Sequence, residues 1–507
     1  MSVRSIAVVG GGPGGLYAAR LLRLADPGLE VVVHEQGLPE TTFGFGVALG
    51  ARTQRNLEAA DPDTLADILA AARPHDMSMR VGDAVARVPG GRLVAIARTE
   101  LLAVLTRHAE KAGVDVRHGA RVDADDLDAD LVVLADGVSS AGRGAGAAGF
   151  GARVEVGGGL YLWAAAPFAL DEALFAPATT EHGTFVAHAY PYAPDRSTFL
   201  VEVDEGTWRR AGFDRTTDAT PADGSDEAAL AYLSEAFRDR LGGHPLLGNR
   251  TRWLRFRTVT CERWWHGNRV LLGDAAHTAH YSIGSGTKLA MEDAIALSRA
   301  VTEEIDRDTA LARYQGERKP AVERMQELAR RSQRWWDAFP ARAHLPVEQL
   351  TVAYMSRAGN VSLERFAAST PDVVRAGLAQ YAGVPEAAVD LDAPVAWVTA
   401  QPLDGHPCRI VTRAAFADGA LVDVDDPGDA WGPAADALVG RVASEGRTVW
   451  LSGRAERPAL LTRLELAERL RLAGVRVVVA GPAGLLPDLA AGLASGRTDL
   501  IALEAGA

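Results

Sequence analysis

The sequence predicts an α/β protein: a parallel-sheet domain interrupted by an inserted β-sheet, followed by a smaller C-terminal α/β domain. Three observations predict it. Near the N-terminus an apolar run over 5–9 (SIAVV) enters a glycine-rich turn, a helical run follows over 15–25, and a second apolar run covers 30–34 (EVVVH). That is one β-α-β unit of about 30 residues. Between 150 and 260 helical periodicity gives way to strand-like segments, GLYLWAAAP, GTFVAHAYPY and STFLVEVDE, with turn-rich stretches between them. They read as a sheet laid over a ligand. From 391 onward the apolar runs TVWLSG, VRVVVAGP and DLIALE alternate with the helical runs PALLTRLELAERLRLAG and LLPDLAAGLASG. A spacing of about 25 residues predicts parallel strands there.

The other elements fall around this frame. Residues 98–112 have helical periodicity with Thr99 as N-cap, 131–135 (LVVLA) and 269–273 (RVLLG) are buried strands, and 286–305 and 308–345 are long helices. The expected domains are 1–155 with 262–345, a sheet domain over 156–261, a helical connector over 346–390, and an α/β domain over 391–507. A chain of 507 residues exceeds one ordinary core, which agrees with several domains.

Composition narrows the function classes. Hydrophobic residues make up 48% and charged residues 23%, as in a soluble globular protein. A net charge of −13 argues against nucleic acid as a partner, because phosphate binding needs clustered Lys and Arg. Cys261 and Cys408 stand far apart in no metal-ligand spacing, so neither a disulfide framework nor a metal site is expected. The N-terminus enters a strand directly and no run of about 18 apolar residues exists. A cytoplasmic protein without a leader or membrane span is expected.

The first glycine run carries the chemistry. Gly10, Gly12 and Gly15 give G-x-G-x-x-G, with Pro13 and Gly14 between them, after a strand and at the start of a helix. Glycines there let a backbone approach a pyrophosphate at the positive helix end. Glu35, at the end of the next strand, is placed to accept from ribose hydroxyls and disfavours a 2′-phosphate, so the dinucleotide is FAD or NAD rather than NADP.

Two later motifs decide between them. Leu134-Ala135-Asp136-Gly137 follows one buried strand, with Arg143 a few residues on, and Leu272-Gly273-Asp274-Ala275-Ala276-His277 follows another. Asp274 at a strand end can accept from a ribityl hydroxyl, and Gly284, Gly286 and Thr287 open a helix whose amides can face a flavin pyrimidine oxygen. In this order the three motifs resemble the group A FAD-dependent aromatic monooxygenases of the para-hydroxybenzoate hydroxylase type, over about 1–345. The resemblance implies a para-hydroxybenzoate-hydroxylase-like FAD domain with an inserted substrate sheet. It also implies Arg98 on the FAD phosphates.

The last motif departs from the common form: Tyr281 stands where a Pro is usual and Lys288 where an Asn is frequent. The stretch from Ala279 to Asp293 instead resembles the salicylyl-CoA 5-hydroxylase and 2-aminobenzoyl-CoA monooxygenase branch. So do Thr42-Phe43-Gly44-Phe45-Gly46-Val47, Phe185–Tyr190 and Ser197–Glu202. What this implies is hydroxylation of an aromatic ring by FAD, NADH or NADPH and O2 through a flavin C4a-hydroperoxide. The substrate would be a salicylyl-, 2-aminobenzoyl- or tropone-type CoA thioester, with a free or carrier-bound aromatic as the alternative. A redox sensor without turnover is the third reading. The W-x-W-x-I-P string of flavin-dependent halogenases is absent.

Candidate catalytic residues are His188, His280 and Tyr281, because a phenol or aniline needs a base or acceptor near its heteroatom. Phe45, Trp163, Tyr190 and Tyr192 are candidates for an aromatic pocket. In Arg252-Trp253-Leu254-Arg255-Phe256-Arg257 the three arginines, with Arg255 and Arg257 foremost, are expected on one strand face to meet CoA phosphates. Residues 466–504 resemble the last units of an old-yellow-enzyme barrel, which the bifunctional members of that branch carry. The tail is too short for a whole barrel, so a single flavin is expected, in a monomer or homodimer.

Overall fold

The computed structural model describes residues 3–39, 44–145, 147–284, 286–417, 420–425 and 428–504. The chain forms two compact units, 1–77 with 90–337 and 78–89 with 338–507.

The first unit is built on a six-stranded sheet ordered Trp265–His266, Arg269–Leu271, Leu131–Leu134, Ser5–Val9, Glu30–Glu35, Asp115–His118. All neighbours are parallel except the two-residue edge strand Trp265–His266. Helices cover it, so its central strands are apolar on both faces: Ile6, Val8, Val31, Val33 and Leu131 to Leu134 are all buried. The helix Pro13–Ala25 starts with Pro in its first turn and Gly12 at its N-cap. It packs on Gly286–Glu303 and on Arg98–Lys111. The latter helix begins directly where the strand Val94–Ala97 ends, so its N-cap is Ala97 and Thr99 lies inside the first turn. The capping role expected of Thr99 is therefore corrected.

Five antiparallel strands of this unit follow the order Trp253–Cys261, Ala152–Ala166, Arg196–Val203, Gly183–Ala193, Ala173–Thr180. Side chains paired across such a ladder share a face. Leu162, Ala164, Ala187, Ala189, Phe199 and Val201 form one face and join a core with Leu230 and Leu233 of the helix Glu227–Ala236. The stretch 205–236, expected to belong to the sheet domain, holds three helices, Glu205–Arg210, Phe213–Ala219 and Glu227–Ala236. Asp204 and Asp226 cap the first and third of them. The opposite face carries Tyr161, Trp163, Phe175, His188, Tyr190 and Glu202.

The second unit holds four parallel strands in chain order, Leu421–Asp425, Thr448–Ser452, Val477–Pro482 and Leu500–Glu504, with helices Pro433–Ala443, Arg457–Leu472 and Leu486–Ala494 between them. Val411, Phe416, Leu403 and Trp450 join Val478, Ala480, Leu500 and Ala502 in a core. The segment before the first strand thus supplies cover for the sheet. Helices Val347–Ser356, Leu363–Ser369 and Pro371–Ala382 fill the region read as a connector. Among the described residues no helix is long and apolar enough to cross a membrane.

Candidate active site

The glycine turn is packed as the motif requires. Gly10 has φ +108°, and a Cβ there would fall 2.4 Å from the Ala135 carbonyl oxygen. A Cβ on Gly15 would fall 2.1 Å from the Gly10 oxygen, and one on Gly14 would meet Leu272 at 2.5 Å and Ala290 at 3.0 Å. These glycines let the first helix, the Asp136 segment and the Asp274 segment close on one another. Gly12 differs: a Cβ there would meet nothing within 4 Å, and no side chain caps the helix it opens. The helix end is an open anion cradle.

Glu35 holds the rim of this cradle. Its Oε2 accepts from the Gly11 amide at 2.7 Å and its Oε1 from the Gly37 amide at 2.6 Å. Asp136 Oδ2 accepts from Ala141 N and Gly142 N at 2.8 and 3.3 Å, whereas its Oδ1 is buried without a protein partner. Arg143 ties the two later motifs together, donating to the carbonyls of Val138 at 2.7 Å and Ala275 at 2.8 Å.

Asp274 has an exposed side chain between buried Gly273, Ala275 and His277. The surrounding protein pushes its carboxyl up, against the pull of His277 and Arg98. Arg98 donates its backbone N–H to the Phe45 carbonyl at 2.7 Å. Its side-chain Nε is a buried donor without a protein partner. Gly284 has φ +59° and ends the turn Tyr281–Ile283, and Gly286 then opens the helix Gly286–Glu303, with Thr287 next in its first turn. A Cβ on Gly286 would lie 3.9 Å from Asp274 Oδ1. An orphan acceptor on Asp136, an orphan cationic donor on Arg98, and the open helix end at Gly12 are together what a bound FAD would satisfy. The residues present fit that group.

One anchor of this loop was missed from sequence. Asp293 is fully buried. Its carboxylate accepts from His277 Nε2 at 2.7 Å, from the Gly273 amide at 3.2 Å and from Arg318 Nε at 2.8 Å. Burial raises its carboxyl, but His277 and Arg318 outweigh that and hold it below its ordinary value. His277 also stacks on Trp264.

The three candidate catalytic residues converge on a fourth, Glu202. His188 Nε2 lies 3.1 Å from Glu202 Oε2 and His280 Nε2 lies 3.9 Å from Oε1, while the Tyr281 ring lies 4.0 Å from the His280 ring and 6.3 Å from the His188 ring. Burial raises the Glu202 carboxyl, but the pull of His188, then of His280 and Tyr281, leaves it below its usual value. Tyr281 is pushed well above the ordinary phenol value by burial and then by Glu202, so it stays a donor. His280 Nδ1 pairs with Ser282 Oγ at 2.9 Å, and Ser282 pairs with Ser332 of the long helix Arg307–Asp337. That helix brings Trp336 to 4.3 Å from the His188 ring and ends at Asp337. Tyr161 and Phe256 close the ring cluster around Tyr281, at 4.9 and 5.9 Å. A signal for Glu202 existed in the sequence: an acid alternating within an otherwise apolar strand, STFLVEV.

The pocket candidates divide. The Tyr190 hydroxyl donates to the Gly46 carbonyl at 2.8 Å, and burial pushes its phenol up to about 12. Gly44 sits on the Trp163 ring, and Gly46 abuts Tyr192, which is buried. Phe45 between them is half-buried. Thr42, Phe43 and Ser285 lie outside the described residues.

The basic strand needs correction. Arg252 precedes the strand Trp253–Cys261 and has the opposite parity to Arg255 and Arg257, so the three do not share a face. Arg255 pairs with Glu205 at 2.8 Å and donates to the Gly158 carbonyl, and Arg257 donates to Ser139 Oγ at 3.3 Å.

Comparison with known proteins agrees with this geometry. Residues 4–329 match the family model described as an FAD binding domain. Over 345 residues the chain is 43% identical to salicyloyl-CoA 5-hydroxylase of a Streptomyces species, covering 66% of this chain and 65% of that protein. The chain therefore spans just under two thirds of that relative. Over 358 residues it is 40% identical to 3-hydroxy-4-methyl-anthranilyl-[aryl-carrier protein] 5-monooxygenase of Streptosporangium sibiricum, covering 70% of this chain and 95% of that protein. The fold matches solved 2-methyl-3-hydroxypyridine-5-carboxylic acid oxygenase at a TM-score of 0.54 and 21% identity, over 71% of this chain and 96% of the other. With the three motif segments packed on one another and that family match, the chain belongs to the FAD-dependent aromatic monooxygenases.

Proposed function

We propose that this chain hydroxylates an aromatic ring carried as a CoA thioester of the salicylyl, 2-aminobenzoyl or tropone type, using NAD(P)H and O2. The observation that carries this reading is the enclosed Glu202 carboxylate held by His188 and His280 beside the Tyr281 turn that leads to Gly284 and Gly286. A bound FAD would supply the redox chemistry, the transfer of electrons from NAD(P)H to O2 and of one oxygen atom to the ring. The chain's residues do the rest. Gly12 and its open helix end, with Arg98, would hold the pyrophosphate, and Glu35 and Asp274 would take the ribose and ribityl hydroxyls. Gly286 and Thr287 would present amides to the flavin ring. Trp163, Tyr190 and Phe45 offer apolar surface to the substrate, and Tyr281 receives its heteroatom.

Arg255 already spends its guanidinium on Glu205, so a CoA phosphate there competes with an ion pair. The likeness to an enzyme of carrier-bound anthranilyl substrates, across 95% of that protein, favours a second reading in which the thioester hangs from a carrier protein.

The test is O2-dependent NADH oxidation by the FAD-loaded protein with salicyloyl-CoA, 2-aminobenzoyl-CoA and the free acids. The expected result is stimulation by a thioester, with a product heavier by one oxygen atom. Oxidation that no aromatic compound stimulates would instead support a redox sensor.

Glu35 gives a separate expectation. Glu35→Ala removes charged acceptors from Gly11 and Gly37, a loss of about 1.5–3 kcal/mol. FAD affinity, read by flavin fluorescence during reconstitution, is expected to fall by about tenfold or more.

A further inference from the structure

We infer that Trp336 determines which aromatic rings this site admits: with Phe175 it backs His188 and holds the site to the width of one ring. The inference rests on the reading above, in which the substrate ring lies against this face of the sheet.

The strand register lays out the slot. Trp163 and His188 both stand directly opposite Leu200, one on each neighbouring strand, so the three form one row on that face. Neighbouring strands lie about 4.8 Å apart and side chains stand roughly perpendicular to a sheet, so about 10 Å separates Trp163 from His188. A single ring seated over Leu200 is then about 5 Å from each, inside the spacing of about 4.5–7 Å at which aromatic rings attract. A second fused ring needs one of the two walls to give way.

The two walls are backed differently. Backbone stands behind Trp163: a Cβ on Gly44 would fall 3.3 Å from its ring. Side chains stand behind His188. Phe175 is its direct partner on the next strand and meets it edge-on at 5.1 Å. Trp336 lies 4.3 Å from the His188 ring and 5.4 Å from the Phe175 ring. Glu202 Oε2, 3.1 Å from His188 Nε2, ties the imidazole from a neighbouring strand.

The helix Arg307–Asp337 carries Trp336 to this place, and its position is tied to the flavin-side turn. Ser332, one helical turn earlier on the same face, pairs with Ser282 at 2.7 Å, and Ser282 adjoins Tyr281 in that turn. Trp335 meets the Trp336 ring edge-on at 4.9 Å, and both indoles are buried. The sheet makes room for this helix end. In the strand Ala152–Ala166 the four steps from Val156 to Leu160 oppose the two steps from Arg257 to Arg255. The bulge is Gly157-Gly158-Gly159. A Cβ on the first would fall 2.6 Å from Gln333 Nε2, and one on the third 2.6 Å from Asp337 Oδ1. Glycines there let the last helical turn lie close on the strand. Trp336 is thus a positioning residue: it acts on the ring through His188.

The test is the ratio of two affinities. The FAD-loaded protein is titrated with salicyloyl-CoA, one ring, and with 1-hydroxy-2-naphthoyl-CoA, two fused rings, each followed by its perturbation of the flavin absorbance. The wild type is expected to bind the one-ring thioester about tenfold more tightly or better. W336A, which lets His188 turn into the vacated space, should move the ratio toward the two-ring thioester by about tenfold or more. W336F keeps a smaller ring and should move it the same way by about threefold. If W336A does not load FAD, W336F decides. A purely structural role lowers both affinities together and leaves the ratio where it was.

A ratio equal to the wild type's in the variants that load FAD overturns the inference, as does a wild type that binds both thioesters equally. If neither thioester binds the wild type, the thioester reading fails. The ratio for salicylate and 1-hydroxy-2-naphthoate, with the same expected shifts, then upholds or overturns the role of Trp336. A wild type that binds neither pair overturns both.

Discussion

Replacing Asp293 by Ala is expected to destabilise the first unit by about 3–5 kcal/mol, because it strands two buried cationic or polar partners at once. Asp293 is 0% exposed, and its partners Arg318 and His277 are 8% and 2% exposed. The same carboxylate accepts from the Gly273 amide, the residue before Asp274. Loss of stability and loss of FAD should therefore appear together. Urea unfolding of the FAD-free protein measures the first and flavin release measures the second. A midpoint unchanged from the wild type would mean that Arg318 finds another partner and that the loop is held elsewhere. The pH sign follows from the depressed Asp293 carboxyl. Its contribution is fully present above the unfolded carboxylate value and is lost as pH falls through the lower folded value. Asp293→Asn should flatten the acid limb of the stability profile.

Gly15→Ala and Gly12→Ala are expected to behave as opposites. The Cβ of the first would overlap the Gly10 carbonyl at 2.1 Å, a backbone atom that cannot step aside. The helix must move off the turn, at a cost of about 1–3 kcal/mol or more, and the cradle is lost with it. The Cβ of the second meets no protein atom within 4 Å, and its φ of −72° suits Ala. Gly12→Ala should leave unfolding within about 0.5 kcal/mol of the wild type. If the pyrophosphate lies in that open space, Gly12→Ala still lowers FAD affinity by about tenfold or more. Thermal unfolding and FAD titration of both variants separate the roles. A Gly12→Ala protein with wild-type FAD affinity would place the dinucleotide elsewhere.

The flavin half of the site was legible in the sequence because its demands are local. Gly10, Gly15, Gly273 and Gly284 answer backbone constraints set by immediate neighbours, and such constraints leave residue types at fixed spacing. Asp293 and Glu202 were not legible in their roles. Asp293 acts on a turn 16 residues earlier and an arginine 25 residues later. Glu202 meets His188 and His280 only after the strands pair and the turn Tyr281–Ile283 comes back to them. Strand alternation separates Arg252, which precedes the strand, from Arg255 and Arg257, so the basic run does not make one face. The helices over 205–236 were missed because none exceeds 10 residues, too short for periodicity to stand out among turn residues.

The central claim is that an aromatic thioester, bound against Glu202 and Tyr281, is what this flavin site serves. Anaerobic stopped-flow reduction of the FAD-loaded protein by NADH, alone and with salicyloyl-CoA, 2-aminobenzoyl-CoA and their free acids, tests it most directly. The expected result is faster flavin reduction with at least one thioester and little change with the matching free acid. Equal reduction rates across the whole panel, or acceleration by the free acids alone, would contradict it.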